Sequence, residues 1–360
     1  MSVYVGYLLL TGLQIPLFKK KDTLGNNSFN KKAYLILCCI ELVVLAGIRG
    51  YTLGADTVVY LNAIDYYGSL PITEVLTAKL VYPFDFEAGY FLLTKICAFC
   101  GLGKTGFLFV IAIITYIPIF AVINKYSKMP YISILCYFAF GMFSYSLGIF
   151  RQMIAVSILL CGLRYIVERK FFKYVLLVGF AMLFHTTAIL GLCLYFLYVI
   201  KWKNVIWALF GIEFVFIVSG RRFIELAFKM FPEYAGYTID FLDQQGGSYL
   251  MLIFLNTVLF ASVFFRNKQD AYENLTICAL VIAVCLQALG YTLEIFGRVV
   301  PYFSIYLIFA IPNIICNLGK KWRVPASIGT MLCLAVLIYM QFNGDKYLTP
   351  YYTVFSSILK

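Results

Sequence analysis

The chain has 360 residues, of which 62% are hydrophobic and only 13% charged, and this composition excludes a soluble globular domain. Its formal net charge is +12. The basic residues occur in small clusters between apolar runs, as in cytoplasmic loops of membrane proteins. The charge therefore indicates membrane orientation, and nucleic-acid binding is not expected.

Apolar runs that are long enough to cross a bilayer predict membrane-spanning helices along the whole chain. In chain order they lie near 3–18, 33–48, 106–123, 130–148, 152–167, 204–219, 249–265, 275–293, 299–317 and 324–342. The run 87–100 is short for a span and predicts a re-entrant or interfacial helix. The run 172–200 is too long for one span and is interrupted at 184–187, so it forms either one tilted helix or two short helices that meet near His185.

We therefore expect an all-α, polytopic integral membrane protein with about 11–12 membrane-inserted helices plus the short re-entrant or interfacial helix. Residues 1–360 would form one multi-pass domain with extracytoplasmic loops near 49–105 and 220–248. If 87–100 does not cross and 172–200 enters and returns, both termini are extracytoplasmic. The basic clusters then face the cytoplasm: Lys19–Lys21, Lys31/Lys32, Lys125/Lys128, Arg169/Lys170/Lys173, Lys201/Lys203, Arg266/Lys268 and Lys320/Lys321/Arg323.

Four ionisable side chains lie at or near the ends of apolar runs on the predicted outer side: Arg49, Arg151, His185 and Arg298. A charge in hydrocarbon costs roughly 2.5–3.5 kcal/mol, so such residues usually have a function or a partner. Three guanidiniums and the chain's single histidine on one face predict a site for a polyanionic ligand.

The first outer loop begins with Arg49, followed by two glycines and Asp56. One interpretation is a salt-bridged start of the loop. The other is that Arg49 binds phosphate while Asp56 orients it or a sugar hydroxyl. Farther on, Glu87 opens the short apolar run, where it either favours the helix N-terminus or faces a substrate.

Arg151 and Gln152 open another span, where they present a fork of donors beside the partial positive charge of the helix N-terminus. Arginine is suited to bidentate phosphate binding, although an arginine at this place can also snorkel to lipid headgroups. Arg298 lies in the same way before a span whose first turn carries Pro301.

His185 is the only side chain expected to titrate near neutrality unaided. It is either a hydrogen-bonded packing residue or a functional group at a break between helices. One histidine without a cluster of cysteines or carboxylates does not make a zinc site. The CxxC of Cys97 and Cys100 has no second pair, so no metal and no cofactor are expected.

Taken together, these motifs resemble the EpsG family of bacterial exopolysaccharide proteins, which is related to the Wzy-type polysaccharide polymerases. They occur in family order and span nearly the whole chain. The matching pieces are Arg49-Gly50 with Gly54-x-Asp56-Thr57-x-x-Tyr60, Phe86-Glu87-x-Gly89-Tyr90, Phe150-Arg151-Gln152-x-x-Ala155, Phe184-His185-Thr186-Thr187-Ala188, Arg298 followed by Tyr302-Phe303, and Pro350-Tyr351.

The resemblance implies polymerisation of oligosaccharide repeat units linked to polyprenyl pyrophosphate, at the outer face of the bacterial plasma (inner) membrane. Arg49, Arg151, Gln152 and Arg298 would bind pyrophosphate. His185, or else Glu87 or Asp56, would act as general base. Further expected partners are membrane lipids and other polysaccharide-assembly proteins.

Three alternatives stay open at this point: a flippase or transporter of the lipid-linked saccharide, an O-antigen-type ligase, and a structural scaffold without catalysis. A transporter typically has charged or helix-breaking residues near the midplane in matched halves. This sequence instead concentrates its charges toward one face, which favours the polymerase.

Overall fold

The computed structural model describes residues 1–21, 27–71, 86–199, 249–292, 294–343, 345 and 347–357, with single positions 211, 215 and 222. The predicted span 204–219 and the predicted extracytoplasmic loop 220–248 lie outside the described residues apart from those positions.

Helices dominate the described structure, which confirms the all-α prediction. The only sheet in the described residues is an antiparallel pair, β1 (Lys19–Lys21) and β2 (Asn27–Phe29), with Lys19 opposite Phe29. Short 3-10 helices occupy Ile15–Phe18, Thr186–Leu190 and Val354–Ser357. The α-helices are α1 (Ser2–Leu13), α2 (Lys31–Gly47), α3 (Thr57–Gly68), α4 (Ala88–Phe99), α5 (Lys104–Tyr126), α6 (Pro130–Ala139), α7 (Met142–Gly148), α8 (Phe150–Leu160), α9 (Leu163–Val167), α10 (Phe171–Met182), α11 (Gly191–Val199), α12 (Tyr249–Phe265), α13 (Ala271–Thr292), α14 (Glu294–Val299), α15 (Pro301–Ser304), α16 (Leu307–Asn317) and α17 (Lys320–Asn343).

Several described helices meet the length and hydropathy of a membrane span, so the chain is a polytopic membrane protein. Three do so alone: α5, residues Ala271–Gly290 of α13, and α17. Two bent pairs bring the number to five, namely α6 with α7 and Phe296–Ser304 with α16. The other apolar segments form shorter helices, because the backbone breaks within runs that the sequence presents as continuous. The bend between α6 and α7 is at Gly141, which has a left-handed backbone with φ of 76°.

The ambiguous run 172–200 forms two short helices that fold back on each other, with His185 at the turn between them. The Tyr174 hydroxyl of α10 donates to the Gly191 carbonyl (3.0 Å), and its ring stacks on Tyr195 of α11 at 5.8 Å. Phe171, at the start of α10, also contacts the Tyr195 ring near the end of α11 (5.2 Å). Since α10 has 12 residues, it is about 18 Å long, well short of the roughly 30 Å hydrocarbon core.

Helix α4, the predicted re-entrant or interfacial element, docks its N-terminus on this turn. The backbone N–H groups of Gly89 and Tyr90 donate to the Leu183 carbonyl at 2.8 and 3.2 Å. A Cβ on Gly89 would lie 2.7 Å from Leu183 Cβ and 2.8 Å from its carbonyl oxygen. Glycine therefore allows the close approach that brings Glu87 beside the turn.

The C-terminal segment closes the fold behind the first loop. Gly50 N–H donates to the Tyr352 carbonyl (2.8 Å), and Val354 N–H donates to that of Ile48 (3.0 Å). The Tyr351 hydroxyl donates to the Leu45 carbonyl (2.8 Å). The motifs near positions 50 and 350 are thus two sides of one backbone contact.

Candidate functional site

A cavity of about 860 Å³ lies where the helix ends meet. Five residues that the sequence analysis proposed line it together: Asp56, Arg151, Gln152, His185 and Arg298. They come from the start of α3, the first turn of α8, the turn after α10 and the last turn of α14. The structure therefore brings five of the seven proposed residues together around one cavity.

Glu87, at the start of α4, contacts two side chains that line the cavity, Arg151 and His185. Its Oε2 lies 2.5 Å from Arg151 Nη1 and its Oε1 lies 2.7 Å from His185 Nδ1. The backbone N–H of Thr186 also donates to Oε1 (3.3 Å). One carboxylate thus fixes both a guanidinium and an imidazole, and its side chain is 13% exposed.

Glu87 is an ionised hydrogen-bond acceptor at neutral pH. Burial opposes its ionisation, but the hydrogen bond from His185 and the charge of Arg151 outweigh burial and lower the pKa of Glu87 to about 2. Since an ionised carboxylate only accepts, His185 Nδ1 is the donor of this bond. In the neutral imidazole, Nε2 is then the basic nitrogen.

Aromatic rings hold the Arg151 guanidinium in place beside Glu87. Its central carbon lies 5.2 Å from the centre of the Phe86 ring and 6.0 Å from that of Tyr60. The Tyr60 ring stacks on Phe150 at 4.6 Å. Guanidinium over an aromatic face is a stabilising contact, so α3, α4 and α8 together orient this cation.

Gln152 and Thr187 tie the walls of the cavity together. Gln152 Nε2 donates to the backbone carbonyl of Arg298 (2.5 Å), and the Thr187 hydroxyl donates to the Tyr302 hydroxyl (3.1 Å). Gln152 was proposed as a pyrophosphate ligand, but in this structure its amide N–H donates to the backbone of the segment that carries Arg298.

Arg49 lies behind the cavity and not on its wall. Its side chain is 1% exposed, and its guanidinium donates to the carbonyls of Ala46 (2.6 Å), Leu147 (3.0 Å) and Leu53 (3.3 Å). It forms no ion pair with Asp56 within the described part of the chain, so the predicted salt-bridged loop start is not observed. The arginine instead satisfies carbonyls where α2, the first loop and α7 meet.

Among the polar residues that line the cavity and were not proposed as site residues from the sequence, two are Gln287 and Tyr60. Gln287 of α13 lines the cavity and is 7% exposed. A lone glutamine inside the apolar run 275–293 was the available signal, since polar side chains within spans usually have a function. Tyr60, which also lines the cavity, was noted only as part of a motif.

The described residues contain no group of three His, Cys, Asp or Glu side chains that could hold a metal ion. What the cavity offers is an imidazole oriented by a carboxylate, two guanidiniums and the carboxylate of Asp56. This set suits proton abstraction close to a group that carries or develops negative charge.

A comparison with protein-family models matches residues 32–353 to the EpsG family. The match includes every residue of the cavity wall named above. No curated protein matches the chain, and no solved structure matches it.

Proposed function

The chain belongs to the EpsG family, and from that premise we propose that it is a polymerase of oligosaccharide repeat units carried on polyprenyl pyrophosphate. Family membership supports a polysaccharide polymerase-type role in general. The observation that carries the finer proposal is Glu87, which bridges His185 and Arg151 at the edge of a cavity that Arg298 also lines.

The proposed reaction transfers a growing glycan from one lipid carrier to the sugar of another. A hydroxyl of the incoming unit attacks the anomeric carbon of the glycan, and a new glycosidic bond forms. The bond from that carbon to the pyrophosphate oxygen breaks, and its electron pair leaves on polyprenyl pyrophosphate. His185 Nε2 takes the hydroxyl proton, while Glu87 keeps Nδ1 protonated and stabilises the imidazolium.

The leaving group develops negative charge, for which the cavity supplies cations. Arg298 and Arg151 both line the cavity and would contact the pyrophosphate there, and a fixed cation aimed at developing charge is typically worth about 10²–10³ in rate. Arg49 would support this arrangement from behind, through its three carbonyl contacts.

The location that fits this chemistry is the outer side of the bacterial plasma membrane, with both termini extracytoplasmic. The expected partners are the lipid-linked oligosaccharide, membrane lipids and other polysaccharide-assembly proteins.

The test uses purified protein in lipid nanodiscs with labelled lipid-linked repeat units. Longer glycans on the lipid carrier support the polymerase, and transfer to another acceptor would identify a ligase. Translocation without transfer would identify a flippase. The absence of both transfer and translocation would identify a scaffold. We expect His185→Ala to slow elongation about 10²–10⁴-fold and added imidazole to restore part of it.

A further inference from the structure

The cavity has a second wall of different chemistry from its charged one. Three elements contribute apolar side chains and none of its charged residues: the break between α6 and α7, the start of α12 and the second half of α17. Their lining residues include Phe140, Met142, Met251, Phe254, Leu337 and Met340. One continuous space therefore joins cations to an apolar surface.

Helices α12 and α17 carry this wall to the outside of the helix bundle. Leu250 and Met340 line the cavity, and yet they are 50% and 54% exposed. Helix α17 is long and apolar enough to span a membrane, and only 11% of its spanning window is buried. Within the described residues, the cavity therefore opens to the outside of the helix bundle between α12 and α17, along the exposed flank of α17.

The break between α6 and α7 forms part of this apolar wall. The two helices are bent by 59°, and Gly141 between them has φ of 76°, which a residue with a side chain adopts only with strain. Gln341 of α17 lies against this break, with Nε2 3.4 Å from Ser144 Oγ and 3.4 Å from where a Gly141 Cβ would stand. The bend and α17 thus form one groove.

We propose that this groove binds the carrier-proximal isoprene units of the polyprenyl chain, and that the rest of the chain leaves between α12 and α17 into the bilayer. The inference rests on the proposed function and deepens it. Continuity supports this occupant, because the same cavity holds cations for a diphosphate and an apolar path to lipid. A polyprenyl chain is too long for an enclosed pocket of this size, so a lateral exit is required.

The groove acts by shape more than by hydrophobicity. Lipid tails are as apolar as its side chains, so leaving the bilayer for the groove gains little transfer free energy. Packing would instead fix the direction from which the diphosphate enters the charged end. A bulky residue in the groove should therefore weaken binding of the prenyl carrier and leave the charged end intact.

The test is photocrosslinking in lipid nanodiscs, with a polyprenyl diphosphate that carries a diazirine in its first isoprene units. We expect labelled peptides containing 250–254 and 337–341, and competition by unlabelled polyprenyl diphosphate. Met251→Trp and Leu337→Trp should reduce this labelling at least about fivefold. The matched controls Ile253→Trp and Val336→Trp, at exposed positions outside the lining, should label like the wild type.

Elongation measured on the same samples separates the two proposals. Groove labelling without glycan elongation would support the groove and overturn the polymerase. Elongation with labelling confined to other helices would overturn the groove and leave the polymerase standing. Equal labelling of the wild type and both groove variants would also overturn the groove.

Discussion

His185 Nδ1 lies 2.7 Å from Glu87 Oε1, although 98 residues separate the two in the chain. The contact joins the turn after α10 to the start of α4. A carboxylate on one imidazole nitrogen sets the tautomer and makes the other nitrogen available as a base, as in hydrolytic triads. Glu87 is therefore a positioning residue in the proposed reaction, and its low pKa makes it a weak base itself.

Glu87→Gln tests this role. The neutral amide can donate to Nδ1, which would favour the wrong tautomer, and it no longer balances the Arg151 charge. We expect elongation to fall about 10²–10⁴-fold with normal yield of protein. The control is Glu168→Gln, since Glu168 pairs with Lys170 at an exposed place outside the cavity. Unchanged elongation by Glu87→Gln would contradict the dyad.

Acid pH should weaken the fold through Glu87. Its pKa is lowered from 4.5 to about 2 in the folded protein, so its contacts stabilise the fold above about pH 4.5, and this contribution is lost as the pH falls toward 2. As the pH is lowered from about 6 to about 2, the melting temperature should fall more steeply for the wild type than for Glu87→Gln. Parallel curves would show that Glu87 carries no such linkage.

Arg151 should not be replaceable by lysine. A lysine retains the charge but has no planar group to lie against Phe86 and Tyr60 while it bonds Glu87. We expect Arg151→Ala to abolish polymer, with a loss of at least about 10²-fold, and Arg151→Lys to keep under about a tenth of the rate. Arg323→Lys, at an exposed site, is the matched control. Near wild-type polymer from Arg151→Lys would argue against a bidentate clamp.

Arg49 should matter for folding more than for ligand binding. Its substitution by methionine leaves three carbonyls without their charged donor, and hydrogen bonds to charged groups are each worth about 1.5–3 kcal/mol. We therefore expect a lower melting temperature for Arg49→Met and diphosphate binding that is unchanged at low temperature. Arg323→Met serves as the control. An unchanged melting temperature together with lost diphosphate binding would show that Arg49 binds the ligand.

Gly89 should control the distance between Glu87 and His185. An alanine there would place Cβ 2.7 Å from Leu183 Cβ, so α4 has to move away from the turn. We expect Gly89→Ala to reduce elongation by at least about tenfold, because misplacement by about 1 Å costs up to about 10². Gly179→Ala has open space around its Cβ and should behave like the wild type.

The short motifs of the sequence located most of the candidate site. Arg151, Gln152, His185 and Arg298 each stand at or near the end of an apolar run, and Asp56 lies in the first outer loop. The structure places all five on the lining of one cavity. Their roles as ligands and base stay predictions. The break at His185 was visible because polar residues interrupt an apolar run that is too long for one span.

Partner choice was not visible in the sequence. Arg49 and Arg151 both lie next to an apolar run and are each followed by a small or polar residue. The guanidinium of Arg49 is nevertheless bonded to the carbonyls of Ala46, Leu53 and Leu147. The Leu147 carbonyl is 98 residues away in the chain. Nothing in local composition indicates which cation will meet backbone and which will meet a cavity.

Hydrophobic composition and charge spacing alone predicted an all-α polytopic membrane protein, because the bilayer imposes apolar helices whatever their neighbours are. The ordered short motifs carried the resemblance to the EpsG family. Only the tertiary structure decided that Glu87 joins His185 to Arg151, and that Arg49 is buried behind the wall. These contacts depend on how broken helices and one close glycine contact bring distant segments together, and hydrogen bonds and ion pairs form only over a few ångströms.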